Sequence, residues 1–324
     1  MRVVVIGGTG HVGSYLVPRL VRGGHDVIVL SRGEREAYHP DAAWSKVRRM
    51  RVDRDAEDAA GTFGNTVAEL GADAVVDLVC FTEDSARALA TALRGRVGLL
   101  LHCGTIWVHG PLAQVPVTED APREPWGEYG TAKAAIEAYL IGEARRGGTP
   151  ATVLHAGHIV GPGWAPCNPV GNFDLDVFGA IARGEEVALP NFGLETLHHV
   201  HADDVAQAFE RALHRRSAAV GESFHATSPQ ALTTRGFAEA VAGWFGLEPR
   251  LRFEPFDSWA ATVDPEAAET SREHLEHSPV MSIEKARTLL GYAPRYSSLQ
   301  AVRESLAWQI AAGAVNTNGH SLAG

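Results

Sequence analysis

Arg2-Val3-Val4-Val5-Ile6 is a run of β-branched apolar residues with no polar alternation, the pattern of a strand covered on both faces in a parallel sheet. Further strands are expected at His25–Leu30, at Val47–Val52 as a short third strand, at Ala74–Val79 within residues 72–81, at Val97–His102 and at Ala151–Leu154. Between them the apolar positions take helical spacing, as at Tyr15, Leu16, Leu20 and Val21, over Ser85–Leu93, and through Ile136, Tyr139 and Leu140. Strands alternating with helices predict an α/β fold with a doubly wound parallel sheet, whose ligand lies at the carboxyl ends of the strands. The second half has shorter helical and extended pieces, Phe173–Arg183, Asp204–Leu213, Arg235–Phe245, Ile283–Leu290 and Leu299–Ala311. These predict a smaller lobe over the crevice.

The first strand flows into Gly7-Gly8-Thr9-Gly10-His11-Val12-Gly13 and then into a helix. At such a junction small residues let backbone N–H groups approach a pyrophosphate, and the helix dipole favours its charge. Gly7, Thr9, Gly10, His11, Val12 and Gly13 are therefore candidate dinucleotide ligands, in a GxxGxxG spacing. The expected division is a dinucleotide-binding domain over 1–156, with segments near 195–230 returning to it. A substrate lobe over 157–315 and a small, polar, disordered tail over 316–324 complete it. The second strand ends in Ser31-Arg32. An acidic residue near this position holds ribose hydroxyls, whereas an arginine accommodates a 2′-phosphate, so Arg32 tilts the cofactor from NAD toward NADP; the alternative is a solvated surface arginine. Asp53 ends the third strand, within reach of an adenine amino group.

Tyr129-Gly130-Thr131-Ala132-Lys133 places a phenol and an ammonium one helical turn apart on one face. A tyrosine ordinarily titrates near pH 10, and a cation held close favours its phenolate, lowering the pKa by roughly 1–3 units. The pair is a candidate acid/base device. Lysine is scarce here, occurring only at Lys46, Lys133 and Lys285. Thr105, at the end of the fifth strand, is expected to face the same crevice.

The chain has 324 residues and a formal charge of −10, which argues against a nucleic-acid or anionic-membrane partner. No apolar run reaches the length of a membrane span, and the N-terminus enters a strand without a signal-peptide layout. The three cysteines, Cys80, Cys103 and Cys167, make neither a disulfide framework nor a zinc pattern, so a reducing cytoplasm is expected. Histidines 155, 158, 198, 199, 201, 274 and 277 raise the question of a metal, but His199 and His201 lack further ligands at matching spacing. They read as cleft lining or structural histidines, with no metal.

Further segments extend this pattern: Gly104-Thr105-Ile106-Trp107-Val108-His109-Gly110, Gly157-His158-Ile159-Val160-Gly161-Pro162-Gly163, His201-Ala202-Asp203-Asp204-Val205-Ala206 and Leu289-Leu290-Gly291-Tyr292-Ala293-Pro294. With the glycine loop, Asp53, Tyr129 and Lys133, they make the chain resemble the extended short-chain dehydrogenase/reductase superfamily, whose members include sugar epimerases, dehydratases and reductases. The resemblance implies a Rossmann-type sheet, NADP or NAD as cofactor, a sugar-like substrate and a homodimer. It implies Tyr129 as general acid/base, Lys133 on the nicotinamide ribose and Thr105 on the substrate oxygen. Leu78 and His155 join the expected cofactor ligands. Cys80, Trp107, His158, Trp164 and Asn172 join the expected substrate ligands.

The chain departs from nucleotide-sugar members at two points. His158 stands where they carry asparagine, and Glu195-Thr196-Leu197-His198-His199 lacks their arginine. The functions in view are a sugar or sugar-nucleotide epimerase or oxidoreductase, an NADP-dependent reductase of a non-nucleotide carbonyl compound, and a non-catalytic dinucleotide sensor or RNA-associated relative.

Overall fold

In the structure, a computed structural model that describes residues 1–323, each of these stretches contributes a strand to one sheet. The strands are β1 (Arg2–Ile6), β2 (Asp26–Ser31), β3 (Arg48–Arg51), β4 (Ala74–Asp77), β5 (Leu99–Thr105) and β6 (Ala151–Ala156), joined by β7 (Ser223–Ala226). Their spatial order is β7-β6-β5-β4-β1-β2-β3, and every pairing is parallel. The strand order reverses between β1 and β4, which opens a crevice at the carboxyl ends there. The edge strand β3 exposes Arg48, Arg49 and Arg51; a charged edge discourages pairing with another sheet.

The helices up to residue 214 are α1 (His11–Arg22), α2 (Arg54–Ala59), α3 (Phe63–Ala68), α4 (Glu83–Leu93), α5 (Gly127–Arg145), α6 (Asp176–Ala182) and α7 (Ala202–His214), and further helices follow in the lobe. The alternation of β1 explains the layers. Val3 and Val5 pack under α1 and α7, through Leu16, Val17, Leu20, Val205 and Phe209. Val4 and Ile6 pack under α3, α4 and α5, through Phe63, Val67, Leu89, Ile136 and Leu140. Helix α4 begins earlier than its apolar spacing indicates, since Thr82 caps it by accepting the Ser85 N–H.

The rest forms a lobe with its own core around Phe178, Leu197, Phe237, Trp259 and Leu306. Short strand pairs brace it: His158–Val160 with His199–His201, Thr196–Leu197 with Leu232–Thr233, and Val187–Pro190 with Leu251–Glu254. In the stretch expected as a tail, Thr317 is buried, Leu322 packs against the lobe core and the Ala323 N–H donates to Trp244 O. Gly324 lies outside the described residues. Among the described residues no helix is long and apolar enough to cross a membrane.

Helix α5 carries a buried ion cluster on its inner side. Glu137 receives two hydrogen bonds from Arg123, at 2.8 and 2.7 Å, and lies 3.0 Å from His155 Nε2. Burial alone would raise the Glu137 carboxyl, but His155 and the Arg123 guanidinium outweigh it and hold the pKa well below the usual range. A depressed folded-state pKa stabilises the fold above the ordinary glutamate value of about 4.3, and the contribution is lost as pH falls from there. Glu137→Gln is therefore expected to cost about 1.5–3 kcal/mol at pH 7, with the difference from wild type shrinking in acid. Urea unfolding at both pH values checks this, and a pH-independent difference contradicts it.

Candidate active site

The site is built where β1 ends. Gly7 turns the chain with φ of 79°, its N–H donating to Leu30 O, and Gly10 N–H closes the loop on Gly7 O at 3.0 Å. A Cβ on Gly13 would lie 2.3 Å from Gly8 O, so only glycine lets α1 sit this close to the loop. No side chain caps α1, and its first residues His11, Val12 and Gly13 line a crevice of about 440 Å³. Gly7, Thr9 and Gly10 line it too, with Ser31, Arg32 and Arg35 beyond β2, Leu78, Val79 and Phe81 beyond β4, and Cys103 in β5.

These residues suit a dinucleotide. A Cβ on Gly10 would meet only Gly7 O, at 3.1 Å, so that face of the loop is open to a ligand. Arg54 lines the same wall. It holds Asp77 at 2.6 Å while its Nη2 is buried without a partner, a donor left for a polar ligand. Arg32, 54% exposed, lies 3.4 Å from Glu34.

Beyond Cys103 come the groups expected to do chemistry. Lys133, 3% exposed, donates to Cys80 O and Cys103 O, each at 2.8 Å. An ammonium has three N–H donors, so one remains. The ammonium lies 4.8 Å from the Phe81 ring centroid and 5.8 Å from that of Tyr129. Burial lowers the Lys133 pKa, against the neighbouring Cys103, Cys80 and Asp77. Tyr129 keeps 44% of its surface exposed. Its hydroxyl is nevertheless pushed up to about 12 by burial, with Cys103 adding to the rise and Thr105 opposing it. The expected lowering by Lys133 is thus not seen: two carbonyls hold the ammonium, and burial sets the direction of the phenol's shift. Thr105, in turn, accepts the Trp107 N–H at 3.3 Å. Gly110, with φ of 66°, closes this segment where a Cβ would overlap Glu124 O.

Next to Tyr129 stands a wall of rings. Trp107 meets Tyr129 edge-on at 5.9 Å and stacks on His277 at 4.1 Å, while Trp126 stacks on the same imidazole at 4.4 Å. His274 stands edge-on to Trp107 and to Phe173, and 5.1 Å from His158. His158 Nδ1 accepts the His198 N–H at 3.1 Å, and its Nε2 is buried without a partner.

Several expected ligands lie elsewhere. Asp53 caps α2 by accepting the Ala56 N–H and is absent from the crevice lining; its neighbour Arg54 is the wall residue. His155 is fully buried against Glu137 and beside His109 and His225, away from the crevice. Asn172 is buried in the lobe on Ser271 and Asn168. The Cys80 thiol is buried, and this residue contributes its carbonyl to Lys133. Trp164 sits over the glycine loop, stacked on His11 at 4.8 Å and 7°, so it walls the cofactor crevice and not the space beside Tyr129. Trp126, His274 and His277 escaped assignment to the site. A usable signal was present for the two histidines: Asp264-Pro265 is an N-cap followed by an N1 proline, and the helix it starts, Pro265–His277, carries them three apart. Asp77, Cys80 and His102 place one ligand atom each within 4.8 Å of one another, but Asp77 is taken by Arg54.

A parallel sheet with an open glycine loop at its switch point, and a tyrosine and lysine one helical turn apart beside it, defines a dinucleotide-dependent enzyme of the extended short-chain dehydrogenase/reductase type. The chain belongs to the NAD dependent epimerase/dehydratase family, whose model matches residues 3–226. It is 31% identical over 280 residues to 2′-dehydrokanamycin reductase of Streptomyces kanamyceticus, covering 84% of this chain and 75% of that protein. It is 25% identical over 328 residues to UDP-glucose 4-epimerase of Mycolicibacterium smegmatis, covering 94% and 97%. The fold matches the crystal structure of UDP-glucose 4-epimerase from Thermotoga maritima with TM-score 0.74 at 20% identity, covering 96% of this chain and 99% of that one.

Proposed function

We propose that the protein transfers a hydride at a carbinol or carbonyl carbon of a sugar-like substrate, with Tyr129 exchanging the proton of the reacting oxygen. The observation that supports this reading is that the Tyr129 hydroxyl lies beside Thr105, with the Lys133 ammonium 5.8 Å from its ring and bound to the carbonyl of the crevice residue Cys103. A nicotinamide held in that crevice supplies or accepts the hydride. The chain's own residues do the rest. Gly7, Gly10 and the first turn of α1 hold the pyrophosphate, Leu78 and Val79 provide apolar contact, and the remaining N–H of Lys133 holds a ribose hydroxyl. Thr105 and Tyr129 together hold the substrate oxygen.

The protonated phenol is in the form that a carbonyl reduction uses. A phenol pushed up to about 12 is protonated at neutral pH, ready to give its proton to the alkoxide that forms as a carbonyl is reduced, and an alkoxide is more basic than a phenolate. One relative, 2′-dehydrokanamycin reductase, is named for a reaction in this direction, which supports the reading. Consumption of reduced nicotinamide with keto-sugar probes, followed by absorbance and lost in Tyr129→Phe, tests the reading.

Arg32 bears on the cofactor. A guanidinium meets a 2′-phosphate with a charge-assisted, bidentate contact, worth about 1.5–3 kcal/mol or roughly ten- to a hundredfold in affinity. Wild type is expected to prefer NADP(H), and Arg32→Ala to erase most of that preference with NAD(H) binding nearly unchanged. Glu34 competes for Arg32 at 3.4 Å. Titrating both cofactors against both proteins decides the point: equal affinities in wild type, or an unaltered ratio in the variant, make Arg32 a surface residue.

A further inference from the structure

We propose that the wall beside Tyr129 takes a sugar-like ring that carries no diphosphate, held by Trp107, Trp126 and Phe173 together with the unpartnered Nε2 of His158. The inference rests on Tyr129 being the acid/base, because it places the reacting carbon next to this wall.

Three observations carry it. First, side chains next to Tyr129 that keep some solvent exposure are aromatic, Trp107 and Trp126 each having one face covered by His277. Trp107 and Trp126 are partly exposed, and Phe173 is 46% exposed. Apolar ring surface with a few polar hydrogen-bonding groups suits the C–H faces and hydroxyls of a sugar.

Second, among the described residues none of the side chains that form the wall is itself a cation, the Lys133 ammonium lying behind Tyr129 on its two carbonyls. A diphosphate is recognised by charge-assisted donors, and the basic groups here are imidazoles kept neutral. Burial, followed by neighbouring histidines, holds His158 well below its ordinary pKa. Burial holds His274 down to about 4 and lowers His277 as well. Two arginines of the lobe, Arg235 and Arg272, already face acidic side chains. Arg235 pairs with Glu239 and lies over Phe253. Arg272 pairs with Asp257, Glu269 and Glu276 and lies over Phe256.

Third, the helix that delivers His274 and His277 is acidic. Glu266, Glu269, Glu273 and Glu276 outnumber Arg272 along Pro265–His277, a field that repels a diphosphate and tolerates a neutral or amine-bearing ring.

Calorimetric titration of the cofactor-saturated protein tests this with methyl β-D-glucopyranoside, UDP-glucose and UDP. If the diphosphate adds nothing, the two sugars bind within about threefold of each other and UDP alone does not bind at about 5 mM. Trp107→Leu is expected to weaken both sugars by about tenfold, from lost ring contact, with cofactor affinity unchanged. UDP-glucose binding about thirtyfold tighter than the methyl glucoside, or UDP binding alone, overturns the proposal by revealing a diphosphate subsite. Failure of both sugars to bind at about 50 mM overturns it too, by removing the ring platform. The acid/base reading is judged separately, by turnover in Tyr129→Phe, so it survives or fails independently of the sugars' affinities.

Discussion

Tyr129→Phe is expected to lower kcat by about 10²–10⁴-fold, the loss typical of removing a positioned proton donor. That is about 2.7–5.5 kcal/mol of transition-state stabilisation at about 1.36 kcal/mol per decade. The change deletes one hydroxyl, leaves the ring against Trp107 and Lys133 on its two carbonyls, and so should move cofactor affinity by less than about threefold. The raised pKa sharpens the expectation. A donor that stays protonated until about pH 12 loses no reductive activity between neutral and moderately alkaline pH through its own titration. Steady-state kinetics across that range provide the check, and a variant within about threefold of wild type in kcat would remove Tyr129 from the proton step.

Gly10→Val is expected to abolish dinucleotide binding, by at least about a hundredfold, without unfolding the protein. The two halves of this statement come from the same measurement of space. A Cβ at residue 10 meets nothing but Gly7 O at 3.1 Å, so the chain itself can accommodate a side chain with a small adjustment of the loop. The valine methyls would then occupy the open face where we propose that the pyrophosphate is held. Gly13 behaves differently: a Cβ there would strike the Gly8 backbone, so substitutions would disturb the packing of α1 as well. Fluorescence titration of the cofactor alongside circular dichroism separates binding from folding. Retained affinity would show that the Gly10 face is merely a turn.

The sheet was legible because β1, β2 and β4 to β6 are apolar on both faces, a pattern that distinguishes them from amphipathic strands. The glycine loop was legible because its spacing is tied to a strand-to-helix junction. What the sequence hid has physical causes. The last strand, Ser223–Ala226, carries His225 and too few apolar residues to announce itself, and it is stabilised by pairing with β6. Asp53 looked like a ligand from its position at a strand end, but an aspartate three residues before a free N–H is equally a helix cap, and capping won. His155 sits on a buried strand, where neighbouring Glu137 and Arg123 claim the space around it. The ring wall depends on a helix more than a hundred residues after Trp107, and no local spacing connects the two. The Tyr–Lys geometry was visible in a four-residue interval, whereas the phenol's upward shift required knowing how deeply the site is enclosed.

The position of β7 constrains how the molecule comes into being. Its residues follow the start of the lobe in sequence, yet they complete the sheet by pairing with β6. A polypeptide severed after residue 156 would not be a finished nucleotide-binding unit, because β6 would present an uncovered row of backbone donors and acceptors, open to strands of other molecules. On the ribosome the same edge waits until residue 226 has emerged, so the sheet is closed by chain that has already begun building the lobe. The two parts are therefore interleaved by synthesis order, and exchange of one lobe for another in an engineered chimera has to carry residues 223–226 with the sheet.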